Sequence, residues 1–231
     1  MDNFSIVIPV FNEEDNIIDL LQEIEKYLDT FIKKFEVIII DDCSNDNTFE
    51  KLKNFKNKLS IRVFKNDKNY GQSFSIRKGV MESKYDTIVT LDGDGQNHPR
   101  DIRNLLSIYY SDKNISLVSG IRINRKDNYL KKISSKLANL VRSFILKDGC
   151  LDTGCSLKVF NKNIFMKIPY FNGLHRFIPA FFKAFKTNVH YENVSHRPRL
   201  KGKSNYGTID RLYRGIIDMY KVINLINKKN D

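Results

Sequence analysis

At 231 residues and a net charge of +12, with 41% hydrophobic, 12% aromatic and 29% charged residues, the chain has the composition of a globular protein with a sizeable core. That composition excludes a disordered or low-complexity chain, and no run of about 18 apolar residues marks a membrane-crossing helix. Three cysteines (Cys43, Cys150 and Cys155) make an odd count without a CxxC pair, and Asp2 precedes an apolar run too short for a signal peptide, so no disulfide framework and a cytoplasmic location are expected.

Phe4 to Val10 is an apolar run expected to form a strand, after which Ile17, Leu21, Ile24 and Leu28 recur at helical spacing. Glu36 to Ile40 is a β-branched run closed by Asp41 and Asp42, the pattern of a strand covered on both faces. A polar loop, a short helix carrying Phe49, Leu52 and Phe55, a strand over Ser60 to Lys65 and a helix near Gln72 to Ser83 follow. Asp86 to Leu91 is the next strand, Pro99 opens another helix at a favoured first-turn position, and Ile115 to Ser119 is strand-like. This alternation predicts a doubly wound, Rossmann-like α/β sheet with helices on both faces. Ligands bind such sheets at the carboxyl ends of the strands, and three of those ends carry carboxylates: Asn12-Glu13, Asp41-Asp42 and Asp92-Gly93-Asp94.

The second half changes character. Residues 1–120 hold 16 basic and 20 acidic groups, whereas 121–147 hold 8 and 1, and 183–231 hold 11 and 4. Tyr129 to Lys147 places Leu130, Ile133, Leu137, Leu140, Val141, Phe144 and Ile145 on one helical stripe. Thr208 to Asn227 repeats the design with Ile209, Leu212, Tyr213, Ile216, Ile217, Tyr220 and Ile223. Each basic amphipathic helix can either pack on the sheet or lie in a membrane interface. Such a basic surface also suits phosphorylated ligands or nucleic acid, but no groove-reading motif is present, and no nucleic-acid partner is expected. His98 reads as a turn cap, His175-Arg176 as the start of an apolar packing helix, and Cys43 and Cys155 as small buried thiols.

The chemistry concentrates in Asp92-Gly93-Asp94-Gly95-Gln96. Two carboxylates one residue apart, with the Gln96 amide oxygen, form a donor set for Mg²⁺ or Mn²⁺ that leaves positions open for phosphate oxygens. With Ser5 to Glu14, Ile40 to Thr48, Asn69-Tyr70-Gly71 and Leu91 to Pro99 in order, the chain resembles the family 2 glycosyltransferases of the GT-A fold. Ser119-Gly120-Ile121-Arg122, Asp152 to Ser156, Arg197-Pro198-Arg199 and Gly202-Lys203-Ser204 extend the resemblance to the polyprenyl-phosphate branch typified by dolichyl-phosphate mannose synthases. That branch often has Ser-Lys where this chain has Ser204-Asn205, and Asp-Pro-x-Ser-Gly where it has Asp-Thr-Gly-Cys-Ser.

The resemblance implies a mixed, mostly parallel sheet and roles for individual residues. Pro9, Phe11, Glu13, Ile40, Asp42 and Gly93 would bind the nucleotide-sugar donor, Asp92, Asp94 and Gln96 the metal on its diphosphate, and Arg197, Arg199 and Lys203 would close over that diphosphate. Arg122, Arg125, Lys131, Ser134 and Ser135 would bind the acceptor phosphate, with Asp94, Arg122 and Asp152 as the catalytic set. The implied activity is metal-dependent, inverting transfer of a sugar from GDP-mannose or a UDP-sugar to a polyprenyl phosphate. A hydroxyl acceptor with Asp152 as base is the alternative. The expected organisation is a single unit over 1–207, with a donor half (1–120) and an acceptor half (121–207), followed by a basic helix (208–231). The protein would sit peripherally on the inner membrane face, with a membrane partner subunit possible.

Overall fold

The computed structural model describes residues 3–31, 34–56, 58–123, 142–198 and 208–230. Within them, β1 (Phe4–Val10), β2 (Phe35–Asp41), β3 (Ile61–Lys65), β4 (Thr87–Thr90), β5 (Ile115–Arg122), β6 (Lys158–Asn161) and β7 (Asn188–Val194) form one sheet in the order β3-β2-β1-β4-β6-β5-β7. Its helices are α1 (Ile17–Leu28), α2 (Thr48–Asn54), α3 (Gln72–Glu82), α4 (Asp101–Ser111), α5 (142–146), α6 (Lys162–Met166), α7 (Ile178–Ala184) and α8 (Thr208–Asn230). Parallel pairing joins β3, β2, β1 and β4 on one side and β5 with β7 on the other. Only β6 among these strands runs against its neighbours, β4 and β5. The mixed, mostly parallel sheet therefore agrees with the expected α/β class.

The pleat sorts the core into two layers, since successive side chains of a strand point to opposite faces. Phe4, Ile6, Ile8 and Val10 of β1 join α1 (Leu21, Ile24) and α4 (Ile102, Leu105) on one face. Val7 meets Ile76 and Val80 of α3, Phe165 of α6, and Phe181 and Phe182 of α7 on the other. Each such fully buried side chain contributes about 1.5–3 kcal/mol relative to exposure. Residues of β2 are buried on both faces, which is why its sequence shows a continuous apolar run rather than alternation.

The register opens a crevice. β1 pairs with β4 only as far as Val7↔Thr90, yet continues beside β2 to Val10↔Asp41. The chain order turns outward in both directions from β1, so the switch point of the sheet lies between β1 and β4, where open α/β sheets receive ligands. Pro9 falls past the last β4 partner, where its missing N–H interrupts no β1–β4 bond.

After β4, two details differ from the expected layout. β6 has no strand signal in its sequence, being four residues that begin with Lys158, which is only 2% exposed. Pro99 lies in the turn before α4, accepting from the Ile102 N–H at 3.1 Å, rather than in the helix itself. Most of the amphipathic stripe over 129–147 lies outside the described residues; of its visible end, Phe144 is 83% exposed. α8 packs against the body through the buried Val222 and through Met219, Leu225 and Ile226, while Ile217 and Tyr220 stay exposed.

Gly79 lets α3 approach the sheet closely: a Cβ there would collide with Val7 Cγ1 and lie 3.3 Å from Ile40 Cγ1. Gly79→Ala is expected to destabilise the protein by about 1–3 kcal/mol through overpacking, read as a lower urea midpoint with an unchanged slope. An unchanged midpoint would contradict this packing.

Candidate active site

The loops that leave β1 and β2 are sewn together by side chain to backbone bonds. Asn12 N donates to Ser44 Oγ at 2.9 Å, Asn45 N to Asn12 Oδ1 at 2.9 Å, and Glu13 N to Thr48 Oγ1 at 2.9 Å. Glu14 N reaches Asp46 Oδ2 at 3.2 Å, while the Asn47 side chain donates to Glu14 Oε2 at 2.9 Å. Short polar side chains favour such bonds in turns, and Asn12 and Cys43 both take positive φ (56° and 64°) at the corners. Glu13 also caps α1 through its carbonyl, which accepts from Asn16 N and Ile17 N at 3.0 Å each.

Asp41 and Asp42 divide the work at the end of β2. Asp41, fully buried, accepts from Ser44 N and Ser44 Oγ and so holds the loop of its own strand. Asp42 reaches across to the loop before α3: Asn66 Nδ2 (2.7 Å) and Tyr70 N (3.0 Å) donate to Oδ1, and Gly71 N (2.7 Å) to Oδ2. Gly71 has φ +89°, a conformation that a side chain would strain and that turns its N–H to the carboxylate.

α3 starts directly after Gly71, and its first two residues also face polar partners. Gln72 Nε2 donates to Asp92 Oδ1 at 2.7 Å. Ser73 Oγ lies 2.7 Å from His175 Nδ1 and accepts from Gly173 N (3.0 Å) and His175 N (3.3 Å).

The loop after β4 is built from Asp92 to Asn97. Asp92 N donates to Ser156 Oγ at 3.1 Å, and Ser156 Oγ in turn donates to Asn97 Oδ1 at 2.9 Å, so the 152–156 segment braces this loop from below. Gly93 has no room for a Cβ, which would sit 2.6 Å from Val10 Cγ1. Asp94 Oδ1 accepts from Gln96 N at 3.0 Å. Burial and the neighbouring Asp94 charge push the Asp92 carboxyl up to about 7.

Among the described residues no group of three or more His, Cys, Asp or Glu side chains could hold a metal. Asp92 and Asp94 supply two carboxylates with the Gln96 amide beside them, and an octahedral hard cation commonly takes one or two carboxylates, completing its shell with water and substrate phosphates. A divalent cation would also offset the repulsion that raises Asp92, so the donor set fits Mg²⁺ or Mn²⁺.

Arg122 and Asp152 meet each other. Arg122 Nε and Nη2 donate to the two carboxylate oxygens at 2.7 Å each, and Arg122 N adds a third bond at 3.1 Å. The side chains are 14% and 7% exposed, and Gly154 leaves room for the guanidinium, since a Cβ there would approach Nη2 to 2.6 Å. Arg197 docks on the carboxylate loop: its backbone N donates to Gln96 O at 3.0 Å, Nε to Gly95 O, and its guanidinium forks onto Glu23 of α1. Ser195 N donates to Asp101 Oδ2 at 2.8 Å in the same segment.

The structure thus gathers Phe11, Glu13, Asp42, Asp92, Gly93, Asp94 and Gln96 at the strand ends, with Arg122 at the end of β5 and Asp152 and Arg197 on loops beside them. Pro9 lies in β1, while the Ile40 side chain is fully buried beneath α3. Arg125, Lys131, Ser134, Ser135, Arg199 and Lys203 lie outside the described residues. Sequence reasoning missed Gln72, Ser73 and Glu23, and quoted Ser156 within a motif without giving it a role. The first two follow the Asn69-Tyr70-Gly71 motif and could have been found from its place at a helix start, whereas nothing local marks Glu23 on its amphipathic helix.

The family description "Glycosyl transferase family 2" matches residues 5–169. The chain is 32% identical to dodecaprenyl-phosphate galacturonate synthase of Rhizobium johnstonii over 95% of its length and 66% of that protein. It is 30% identical to undecaprenyl-phosphate 4-deoxy-4-formamido-L-arabinose transferase of Edwardsiella ictaluri, over 88% of this chain and 62% of the relative. The chain therefore spans a little under two thirds of these relatives. Glucosyl-3-phosphoglycerate synthase from Mycobacterium tuberculosis, solved with Mn²⁺, UDP and phosphoglyceric acid, shares the fold with a TM-score of 0.73. Its sequence identity is 16%, over 97% of this chain and 78% of that one.

The raised Asp92 pKa makes the stability of the protein depend on pH. Between roughly pH 4 and 7 the folded metal-free protein holds a proton that the unfolded chain has lost, so this group's contribution to stability falls as pH rises through that window. Asp92→Asn should flatten the decline in thermal midpoint from pH 5 to 8; identical slopes in both proteins would contradict the assignment.

Proposed function

The chain belongs to glycosyl transferase family 2, and from that premise we propose that it transfers a sugar from a nucleotide-sugar, GDP-mannose or a UDP-sugar, to a polyprenyl phosphate. The donor would lie at the ends of β1, β2 and β4, with Pro9, Phe11, Glu13, Asp42 and Gly93 around the nucleoside. Asp92, Asp94 and Gln96 would hold Mg²⁺ or Mn²⁺, which when bound neutralises charge on the departing nucleoside diphosphate. Two named relatives act with polyprenyl phosphates, which supports the acceptor class.

One observation carries the choice of acceptor. Asp152, the carboxylate best placed by sequence to serve as base, accepts three bonds from Arg122. A hydroxyl nucleophile must lose a proton as it attacks and calls for a positioned base. A phosphate monoester, with a second pKa of about 6, is already anionic at neutral pH and needs cations instead. Arg122 keeps one guanidinium edge on Asp152, and the basic 121–147 segment that begins beside it supplies further positive charge. We read the transfer as direct displacement at the anomeric carbon, with inversion as the family resemblance implies.

No helix among the described residues is long and apolar enough to cross a membrane. We read the protein as peripheral on the inner membrane face, approaching the lipid with its basic back half and the exposed Phe144, with or without a membrane partner subunit. Residues 1–207 would act as one unit, 1–120 for the donor and 121–207 for the acceptor, with 208–231 appended.

Purified protein with Mn²⁺ and a panel of nucleotide-sugars should release nucleoside diphosphate only when polyprenyl phosphate is added, and EDTA should abolish the release. Lipid-independent turnover onto a glycan would overturn the acceptor. Asp152→Asn should retain roughly a tenth or more of turnover, whereas a true base would cost about 10²–10⁴-fold.

A further inference from the structure

We propose that Gln72, Ser73 and His175 are positioning residues for the metal–diphosphate site: the Ser73–His175 hydrogen bond fixes the first turn of α3 against the 173–176 turn, and that first turn holds Gln72 on Asp92. The inference rests on the reading of Asp92 as a metal ligand. It concerns residues that neither the motifs nor the charge pattern brought forward.

Proton counting at Ser73 fixes the arrangement. A serine hydroxyl has one proton and two lone pairs. Gly173 N and His175 N both donate to Ser73 Oγ, at 3.0 and 3.3 Å, which uses the two lone pairs. The remaining hydroxyl proton therefore goes to His175 Nδ1 at 2.7 Å, leaving the imidazole neutral with its proton on Nε2. Burial, with Arg176 and Lys158 nearby, pushes the His175 pKa down to about 3, so the neutral ring persists across the physiological range. The three bonds join residues about 100 positions apart and dock the back half of the chain onto the start of α3.

The same turn reaches the carboxylates. Gly71 N is on Asp42 Oδ2 and Gln72 Nε2 on Asp92 Oδ1, each at 2.7 Å, so residues 71, 72 and 73 each hold a different part of the cleft. Gln72 sets the plane of the Asp92 carboxylate as a neutral donor, without adding a charge beside Asp94. Partners that orient a ligating carboxylate in this way typically change metal affinity by about 10–100-fold when removed. A rotation of the first turn of α3 would move Gln72, and the hydroxyl–imidazole bond resists it together with the Gly71–Asp42 bond.

The test is the affinity of the full chain for Mn²⁺, alone and with UDP, followed by the paramagnetic signal of free Mn²⁺, without lipid and without turnover. Gln72→Ala should weaken Mn²⁺ binding about 10–100-fold with little change in thermal midpoint. His175→Ala should also weaken it, and His175→Asn, which returns an oxygen acceptor close to the place of Nδ1, should restore most of the loss. Ser73→Ala should weaken it as His175→Ala does, and serves where the latter does not fold. Nitrogen chemical shifts should place the His175 proton on Nε2. Unchanged Mn²⁺ affinity in Gln72→Ala, equal losses in His175→Ala and His175→Asn, or a proton on Nδ1 would each overturn the proposal while leaving the transferase reading intact. Failure of the unaltered protein to bind Mn²⁺ would instead remove the metal reading, and this inference with it.

Discussion

A carboxylate at the end of a buried strand has to be hydrogen-bonded, because leaving it unpaired out of water costs several kcal/mol. Asp42 meets that requirement with two backbone amides and one side-chain amide, all drawn from the loop that leads into α3. The rest of the cleft depends on this attachment. It sets the start of α3, and α3 in turn brings Gln72 to Asp92 and Ser73 to His175. Parallel strands put all these ends on one side of the sheet, and the early end of the β1–β4 ladder leaves space between them.

The front half was legible because its physics is local. β1 to β4 are short apolar runs punctuated by polar loops, and their boundaries fall within a residue or two of where composition changes. The carboxylates of the cleft were legible for the same reason, since Asp42, Asp92 and Asp94 stand just past strands. What escaped was long-range. β6 is held by pairing with β4 and β5, and no apolar alternation announces four residues that start with a buried lysine. Ser156 and His175 gain their meaning from partners 64 and 102 positions away, which no window of sequence can reveal. Arg122, Asp152 and Arg197 were legible as residues but not as partners: the first two pair with each other, and the third grips Glu23 and the Gly95 carbonyl.

Ion pairs tie the segments of the back half to one another. Arg142 pairs with Asp148 at 2.7 Å and stacks over Phe177, and Arg176 pairs with Asp218 of α8 at 2.6 Å. Gly173 makes the latter possible, since a Cβ there would sit 2.5 Å from Asp218 Oδ2. Removing one member of such a poorly hydrated pair costs far more than the pair contributes over an apolar substitute, so these contacts specify where α8 docks more than they add to stability. They also explain why α8, which by sequence could equally have lain on a membrane, turns Asp218 and Val222 inward and leaves Ile217 and Tyr220 outward.

The hydrogen bonds on Asp42 and Asp92 assemble the cleft before any ligand arrives. Amide hydrogen exchange at Tyr70 and Gly71 in the ligand-free protein tests it most directly. Both lie in a loop, yet exchange about as slow as that of the β2 amides is expected, because their N–H groups are held by Asp42. Exchange at the rate of an exposed loop would contradict it and would mean that the site forms only when the nucleotide binds.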